Sequence, residues 1–99
     1  MKKDIIIIGS TGSIGKSTLN VIKKNKNKFK IKLLSTNKNI HKIYNQALEF
    51  KVKDIVIFNK DKYRKHEHIF KKKKINVFFS IDEALKKNKQ KSYYAVSAI

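Results

Sequence analysis

Three glycines and three hydroxyl residues share one heptapeptide, Gly9-Ser10-Thr11-Gly12-Ser13-Ile14-Gly15. The G-x-x-G-x-x-G spacing removes the side chain at every third position, which lets backbone N–H groups approach an anion closely. Leading into a helix, such a loop offers unpaired donors at the positive end of the helix dipole. The chemistry is therefore phosphate binding, and Ser10, Thr11 and Ser13 are expected to add hydroxyl donors to the same anion site.

A competing motif fails on position. Gly15-Lys16-Ser17 has the tail of a mononucleotide P-loop, but the leading glycine of G-x-x-x-x-G-K-[ST] would fall at Ser10. The P-loop also needs a later strand ending in a carboxylate, and Asp54 begins a strand instead. Lys16 then reads as a solvated lysine in the first turn of a helix.

Cofactor type is legible one strand further on. A dinucleotide site that takes NAD usually has an acid there for the ribose 2′-hydroxyl. The segment here is Ser35-Thr36-Asn37-Lys38-Asn39, with no acid and one lysine. That composition suits a dianionic 2′-phosphate, so the expected cofactor is NADP. His66 and His68 would point about 200° apart on a helix and cannot share a metal. His41 has no partner in sequence, and Asp82 and Glu83 suit a helix N-terminus, where carboxylates are favourable without any catalytic role. Lys71 to Lys74 read as a solvated helix end. No catalytic residue and no metal ligand is assigned.

The elements that must position this loop follow from hydrophobic patterning. Asp4 to Ile8 is a continuous β-branched run, the mark of a strand buried on both faces. A helix is expected from Ser13 to about Asn25, with Ile14, Leu19, Val21 and Ile22 available to pack on the sheet. Lys30 to Thr36 reads as a second strand. Asn39 can cap a helix whose Ile40, Ile43, Tyr44, Ala47 and Leu48 fall at i, i+3, i+4, i+7 and i+8. Asp54 to Phe58, Ile75 to Phe79 and Tyr93 to Ile99 give three further strands. A polar helix from about Asp61 to Lys71 has only Tyr63 and Phe70 as its apolar stripe. Ser80-Ile81-Asp82-Glu83 has the capping-box pattern and opens a short helix through Leu85 to about Asn88. Strict β-α alternation with buried strands implies an α/β fold, a Rossmann-like parallel sheet with helices on both faces.

Composition narrows the function classes. The chain of 99 residues carries a formal net charge of +18, no cysteine and no proline. Disulfides and thiolate metal sites are excluded. The charge is nearly all lysine, Arg64 being the only arginine, and lysine, asparagine and isoleucine make up nearly half the chain. Arginine, which binds phosphate and guanine with two parallel hydrogen bonds, is almost missing, so no specific nucleic-acid partner is expected. No apolar run approaches the roughly 20 residues of a membrane span, and only four isoleucines separate Lys3-Asp4 from Gly9, too few for a signal peptide. The default expectation is a soluble cytoplasmic protein.

Gly9 to Ile22, GSTGSIGKSTLNVI, resembles the opening of the 1-deoxy-D-xylulose 5-phosphate reductoisomerase family. Members begin with a strand, then GSTGSIG, then a T-L-x-V-[IV] run. Phe29 before the second strand, Lys38-Asn39 after it, and Ala47-Leu48-Glu49-Phe50 are similar to the family at the same places. The likeness covers essentially the whole chain, with low identity beyond about residue 60. It implies an NADPH-dependent enzyme of non-mevalonate isoprenoid biosynthesis. Such an enzyme rearranges 1-deoxy-D-xylulose 5-phosphate and reduces it to 2-C-methyl-D-erythritol 4-phosphate with a divalent Mg, Mn or Co ion, and the full-length form is expected to be a homodimer. The family's NADPH contacts carry over to Thr11, Gly12, Ser13, Ile14, Lys38 and Asn39. Asn37 stands where many members have glycine, and asparagine's tolerance of positive φ is expected to preserve that turn.

The resemblance also implies that residues 1–99 form part of an NADPH-binding domain, ending after its fifth strand. The catalytic, metal-binding and C-terminal domains of the family lie outside the chain, and the fragment alone is expected to be inactive. The alternative is a free-standing basic nucleotide-binding module without catalysis.

Overall fold

The computed structural model describes residues 2–87 and 93–98. Along the chain run β1 (Lys3–Ile8), α1 (Ser13–Lys24), β2 (Phe29–Thr36), α2 (Ile40–Phe50), β3 (Asp54–Ile57), α3 (Lys60–Lys72), β4 (Asn76–Phe78), α4 (Ile81–Lys87) and β5 (Tyr94–Ser97). The expected ends of the fourth helix at Asn88 and of the last strand at Ile99 lie outside the described residues. The strands form one sheet in the order β4-β3-β2-β1-β5, and every neighbouring pair is parallel.

Successive residues of each strand feed opposite faces. Ile5, Ile7, Ile55 and Ile57 join Leu19 and Ile22 of α1, Ile43 and Ala47 of α2, and Phe70 of α3 in the larger core. Ile6, Leu33, Val56 and Phe78 meet Ala84 of α4 in a smaller one on the other side. One irregularity makes this alternation work. The pairing of β1 with β2 steps from Ile5–Ile31 to Ile6–Leu33, skipping Lys32. In a regular strand Ile31 and Leu33 would share a face; the extra residue sends Ile31 to the larger core and Leu33 to the smaller.

Among the described residues expected to pack inward, or inside a strand, Ile14, Val21, Leu48, Phe58, Phe79, Tyr93 and Tyr94 are instead exposed. Ile14 is 60% and Val21 58% exposed, whereas Gly15, Leu19 and Ile22 are buried. The buried three fall at i, i+4 and i+7 on one face of α1, and Ile14 and Val21 lie about 100° round from it. Leu48 follows the buried Ala47 by one position and is turned outward on α2 by the same rotation. Phe58 lies just past the end of β3 and Phe79 just past the end of β4. The lysines shield some of this surface: Lys3 Nζ sits 5.2 Å from the Tyr94 ring centroid and Lys60 Nζ 5.9 Å from that of Phe79. Among the described residues no helix is long and apolar enough to cross a membrane.

Candidate functional site

The strand order reverses at β1, which has β2 on one side and β5 on the other. In open α/β sheets the crevice beyond the carboxyl ends of the strands at such a switch point receives ligands. The Gly9–Gly15 loop leaves β1 at this place and opens α1.

Each glycine has a different physical reason to be there. Gly9 adopts φ 83°, a conformation side-chain-bearing residues rarely take. At Gly15 a Cβ would collide with the Gly9 carbonyl oxygen and come within 2.6 Å of Ser10 Cα, so this glycine lets α1 press against the turn. Gly12 satisfies neither condition. Its φ of −81° and ψ of −179° suit any residue, and a Cβ there would meet nothing nearer than the Gly9 oxygen at 3.9 Å. Nothing among the described residues requires a glycine at position 12.

Beyond Gly12, α1 starts without a side-chain cap and without an acid in its first turn. The other three helices differ. Asn39 Oδ1 accepts from Lys42 N, Asn59 Oδ1 from Lys62 N and Ser80 Oγ from Glu83 N, and α3 and α4 also carry acids in their first turns. The first N–H groups of α1 and its positive dipole end are thus left for something outside the helix.

Two hydrogen-bond chains fasten the loop to the end of β2. In one, Gly9 N donates to Ser35 Oγ at 2.8 Å and Ser10 N to Ser35 O at 2.9 Å. In the other, the Thr11 and Thr36 hydroxyls lie 2.8 Å apart, and Thr36 Oγ1 accepts from Asn39 N at 3.2 Å. The expectation that Ser10 contributes a hydroxyl to the anion site is corrected here. Ser10 is fully buried, with its Oγ donating inward to Gln46 Oε1 at 2.8 Å and lying 3.2 Å from Ser35 O. The loop turns this one side chain beneath itself. Thr11 is half-buried, and Gly12, Ser13 and Ile14 are exposed along the rim.

Asn37, Lys38 and Asn39 follow β2 directly and are exposed beside the loop. Asn37 needs no left-handed turn: among non-glycine described residues positive φ is confined to Lys51 and Lys74. Asn37 O instead accepts from Asn59 N at 2.9 Å, tying the turn to β3. Lys16 is exposed in the first turn of α1. A hydrogen-bonding contact with Lys16, and then repulsion between the two ammonium groups, holds Lys42 below the usual lysine range. Lys42, in the first turn of α2, is exposed as well. Among the described residues no group of three or more His, Asp or Glu side chains could hold a metal ion. His41 lies 3.4 Å from Asn45 Nδ2 on its own helix.

Sequence reasoning missed Lys42 and Gln46, and it read Ser35 and Thr36 as part of the 2′-phosphate segment and not as the groups that fasten the loop. A signal existed for Gln46, because an amide three residues after Ile43 lies at the edge of the apolar stripe of α2. An inward polar group there must have a partner.

A family profile described as 1-deoxy-D-xylulose 5-phosphate reductoisomerase matches residues 5–99. The chain is similar to the 1-deoxy-D-xylulose 5-phosphate reductoisomerase of Pelagibacter ubique, 40% identical over 80 residues, which is 81% of this chain and 21% of that protein. It is also similar to the reductoisomerase of Zymomonas mobilis solved in complex with NADPH. That likeness has a TM-score of 0.75 at 25% identity over 85% of this chain and 23% of the other. A DOX-P reductoisomerase solved with fosmidomycin and magnesium gives a TM-score of 0.80 at 28% identity, over 98% of this chain and 25% of the other. The chain spans about a fifth of the length of the Pelagibacter relative.

Proposed function

This chain belongs to the 1-deoxy-D-xylulose 5-phosphate reductoisomerase family, and on that premise we propose that it is the NADPH-binding part of such an enzyme. The observation that carries the reading is Gly12, a glycine with room for a side chain and no internal need to lack one, at the mouth of an uncapped helix. A pyrophosphate lying over that position supplies the need. It would be held over Gly12 by the backbone N–H groups and hydroxyls of Thr11 and Ser13, with exposed Ile14 forming an apolar edge. Asn37, Lys38 and Asn39 would meet the adenosine 2′-phosphate, with Lys16 and Lys42 supplying positive field nearby.

When bound, the reduced dinucleotide supplies a hydride. The residues on this chain bind and orient it. The whole protein, by this reading, converts 1-deoxy-D-xylulose 5-phosphate to 2-C-methyl-D-erythritol 4-phosphate and acts as a homodimer in a bacterial cytoplasm. Its divalent ion finds no donor set among the described residues. Purified as these 99 residues, the chain is expected to oxidise no NADPH when mixed with 1-deoxy-D-xylulose 5-phosphate and Mg²⁺. Substrate-dependent loss of NADPH absorbance would overturn that expectation.

The test of the binding reading is a two-dimensional NMR titration of the labelled chain with NADPH and with NADH. NADPH should shift the amides of Thr11 to Gly15 and of Asn37 to Asn39, and a titration that leaves them still would sink the proposal. Lys38→Glu should weaken NADPH about ten- to a hundred-fold with a much smaller effect on NADH. The basis is that a charge-assisted contact contributes about 1.5–3 kcal/mol. Equal losses for the two cofactors would show that Lys38 does not read the 2′-phosphate.

A further inference from the structure

Gln46 lies on the second turn of α2 and reaches 36 positions back along the chain to the glycine loop. Its Nε2 donates to the Ser10 carbonyl oxygen at 2.9 Å, while its Oε1 accepts from Ser10 Oγ at 2.8 Å. Two bonds from one planar amide fix both the place and the rotation of Ser10. The two amides before that carbonyl are engaged as well, Gly9 N with Ser35 Oγ and Ser10 N with Ser35 O.

The consequence lies in the peptide that joins Ser10 to Thr11. No described peptide bond is cis, and in a trans peptide the C=O and the following N–H point in opposite directions. Gln46 draws the Ser10 carbonyl toward α2, so the Thr11 N–H is turned away from α2. That N–H donates to no described residue.

We infer that Gln46 is a positioning residue of the dinucleotide site: by holding the Ser10 carbonyl it aims the Thr11 N–H at the phosphate and locks the loop to the helix that begins at the 2′-phosphate turn. This inference rests on the NADPH reading above. Gln46 touches no cofactor atom itself; it acts through the Ser10–Thr11 peptide. It also makes the pyrophosphate loop and the start of α2 one unit, since the same helix carries Lys42 and is capped by Asn39.

Gln46→Glu tests the inference through pH. A carboxylate facing the Ser10 carbonyl repels it and favours the flipped peptide, with the Thr11 N–H turned inward to the acid. The protonated acid restores the original pattern, because its O–H donates to the Ser10 oxygen and its C=O accepts from Ser10 Oγ. Dividing the variant's NADPH affinity by that of the wild type at each pH removes titrations that the two proteins share. These include the cofactor 2′-phosphate, Lys16 and Lys23 on α1, and His41, Lys42 and Glu49 on α2. The ratio should be down about ten-fold at pH 8, the scale of one lost hydrogen bond. It should return toward one as pH falls through the pKa of the introduced acid, which partial burial against the Ser10 carbonyl raises above the usual glutamate range. A ratio that stays flat with pH would overturn the inference.

Gln46→Met serves as the second variant, filling the same space without donor or acceptor. Amide hydrogen exchange of the free chain should quicken at Gly9 to Ser13 about ten-fold more than at Ile55 to Ile57 in β3. A uniform change across both segments would reduce Gln46 to a general stabiliser and sink the positioning role. Because exchange is read without ligand, failure of the wild type to bind NADPH would count against the proposed function and leave the clamp to be judged by itself.

Discussion

Gly15→Ala is expected to lower the melting temperature by roughly 10–20 °C, the shift that about 3 kcal/mol produces in a chain of this size. The added methyl would collide with the Gly9 carbonyl oxygen and lie within 2.6 Å of the Ser10 Cα and carbonyl carbon. All three atoms are backbone, so no side chain can swing aside. Inserting a methylene into a packed core costs about 1–3 kcal/mol where side chains can adjust, and a backbone obstacle places this case at the upper end. Relief requires α1 to lift from the sheet or the Gly9–Ser10 turn to move. Lifting α1 exposes Leu19 and Ile22, which are 4% and 5% exposed. Moving the turn breaks the bonds to Ser35, on which the loop hangs. Either way the loss is a large share of the about 5–15 kcal/mol that holds an ordinary domain together. Thermal unfolding followed by circular dichroism measures it, and a melt within a degree or two of wild type would show that the close approach of α1 to the turn does not contribute as described.

The residues behind that prediction show where sequence is informative. Strands are legible here because β1 and β3 are buried on both faces, which forces uninterrupted β-branched runs, Ile5 to Ile8 and Ile55 to Ile57. The glycine loop is legible because its three glycines stand where a buried strand turns into a helix, the context that gives the spacing its meaning. The Asn39 and Ser80 caps are legible because the side chain acts on the backbone three residues on, so the partner is fixed by the chain itself. Partners far along the chain are another matter. Gln46 meets Ser10 only after the sheet has brought β1 beside β2 and α2 has been laid over it. Nothing local in Ser10 distinguishes a hydroxyl turned inward from one offered to a ligand. Nor does an apolar side chain announce its direction. Ile14 and Val21 are as hydrophobic as Ile22, and only the phase set by Gly15, Leu19 and Ile22 against the sheet decides which is buried. The skipped Lys32 is invisible for the same reason, since a bulge is a relation between two strands and not a property of one.

The contrast between two glycines of one loop yields the second large effect. Gly12→Val is expected to leave the fold intact and remove NADPH binding. Valine suits the extended conformation at this position, φ −81° and ψ −179°, and its Cβ would start 3.9 Å from the nearest chain atom. Gly12 serves as the N-cap of α1 without a side-chain hydrogen bond, so its replacement should shift stability by no more than about 1 kcal/mol. Binding is different. The isopropyl group would occupy the space over the helix N-terminus and hold a pyrophosphate away from the Thr11 and Ser13 N–H groups. Losing two hydrogen bonds to a charged group, at about 1.5–3 kcal/mol each, weakens affinity at least about a hundred-fold. Paired measurements separate this from damage to the fold: the melting temperature of Gly12→Val should stay within roughly 5 °C of wild type. Over the same comparison, the NADPH-induced shifts at Thr11 to Gly15 should vanish. Gly15→Ala should show the reverse weighting, with the melt moving first. If valine at position 12 binds NADPH as the wild type does, the open space above Gly12 does not receive the pyrophosphate, and the loop must be assigned some other ligand.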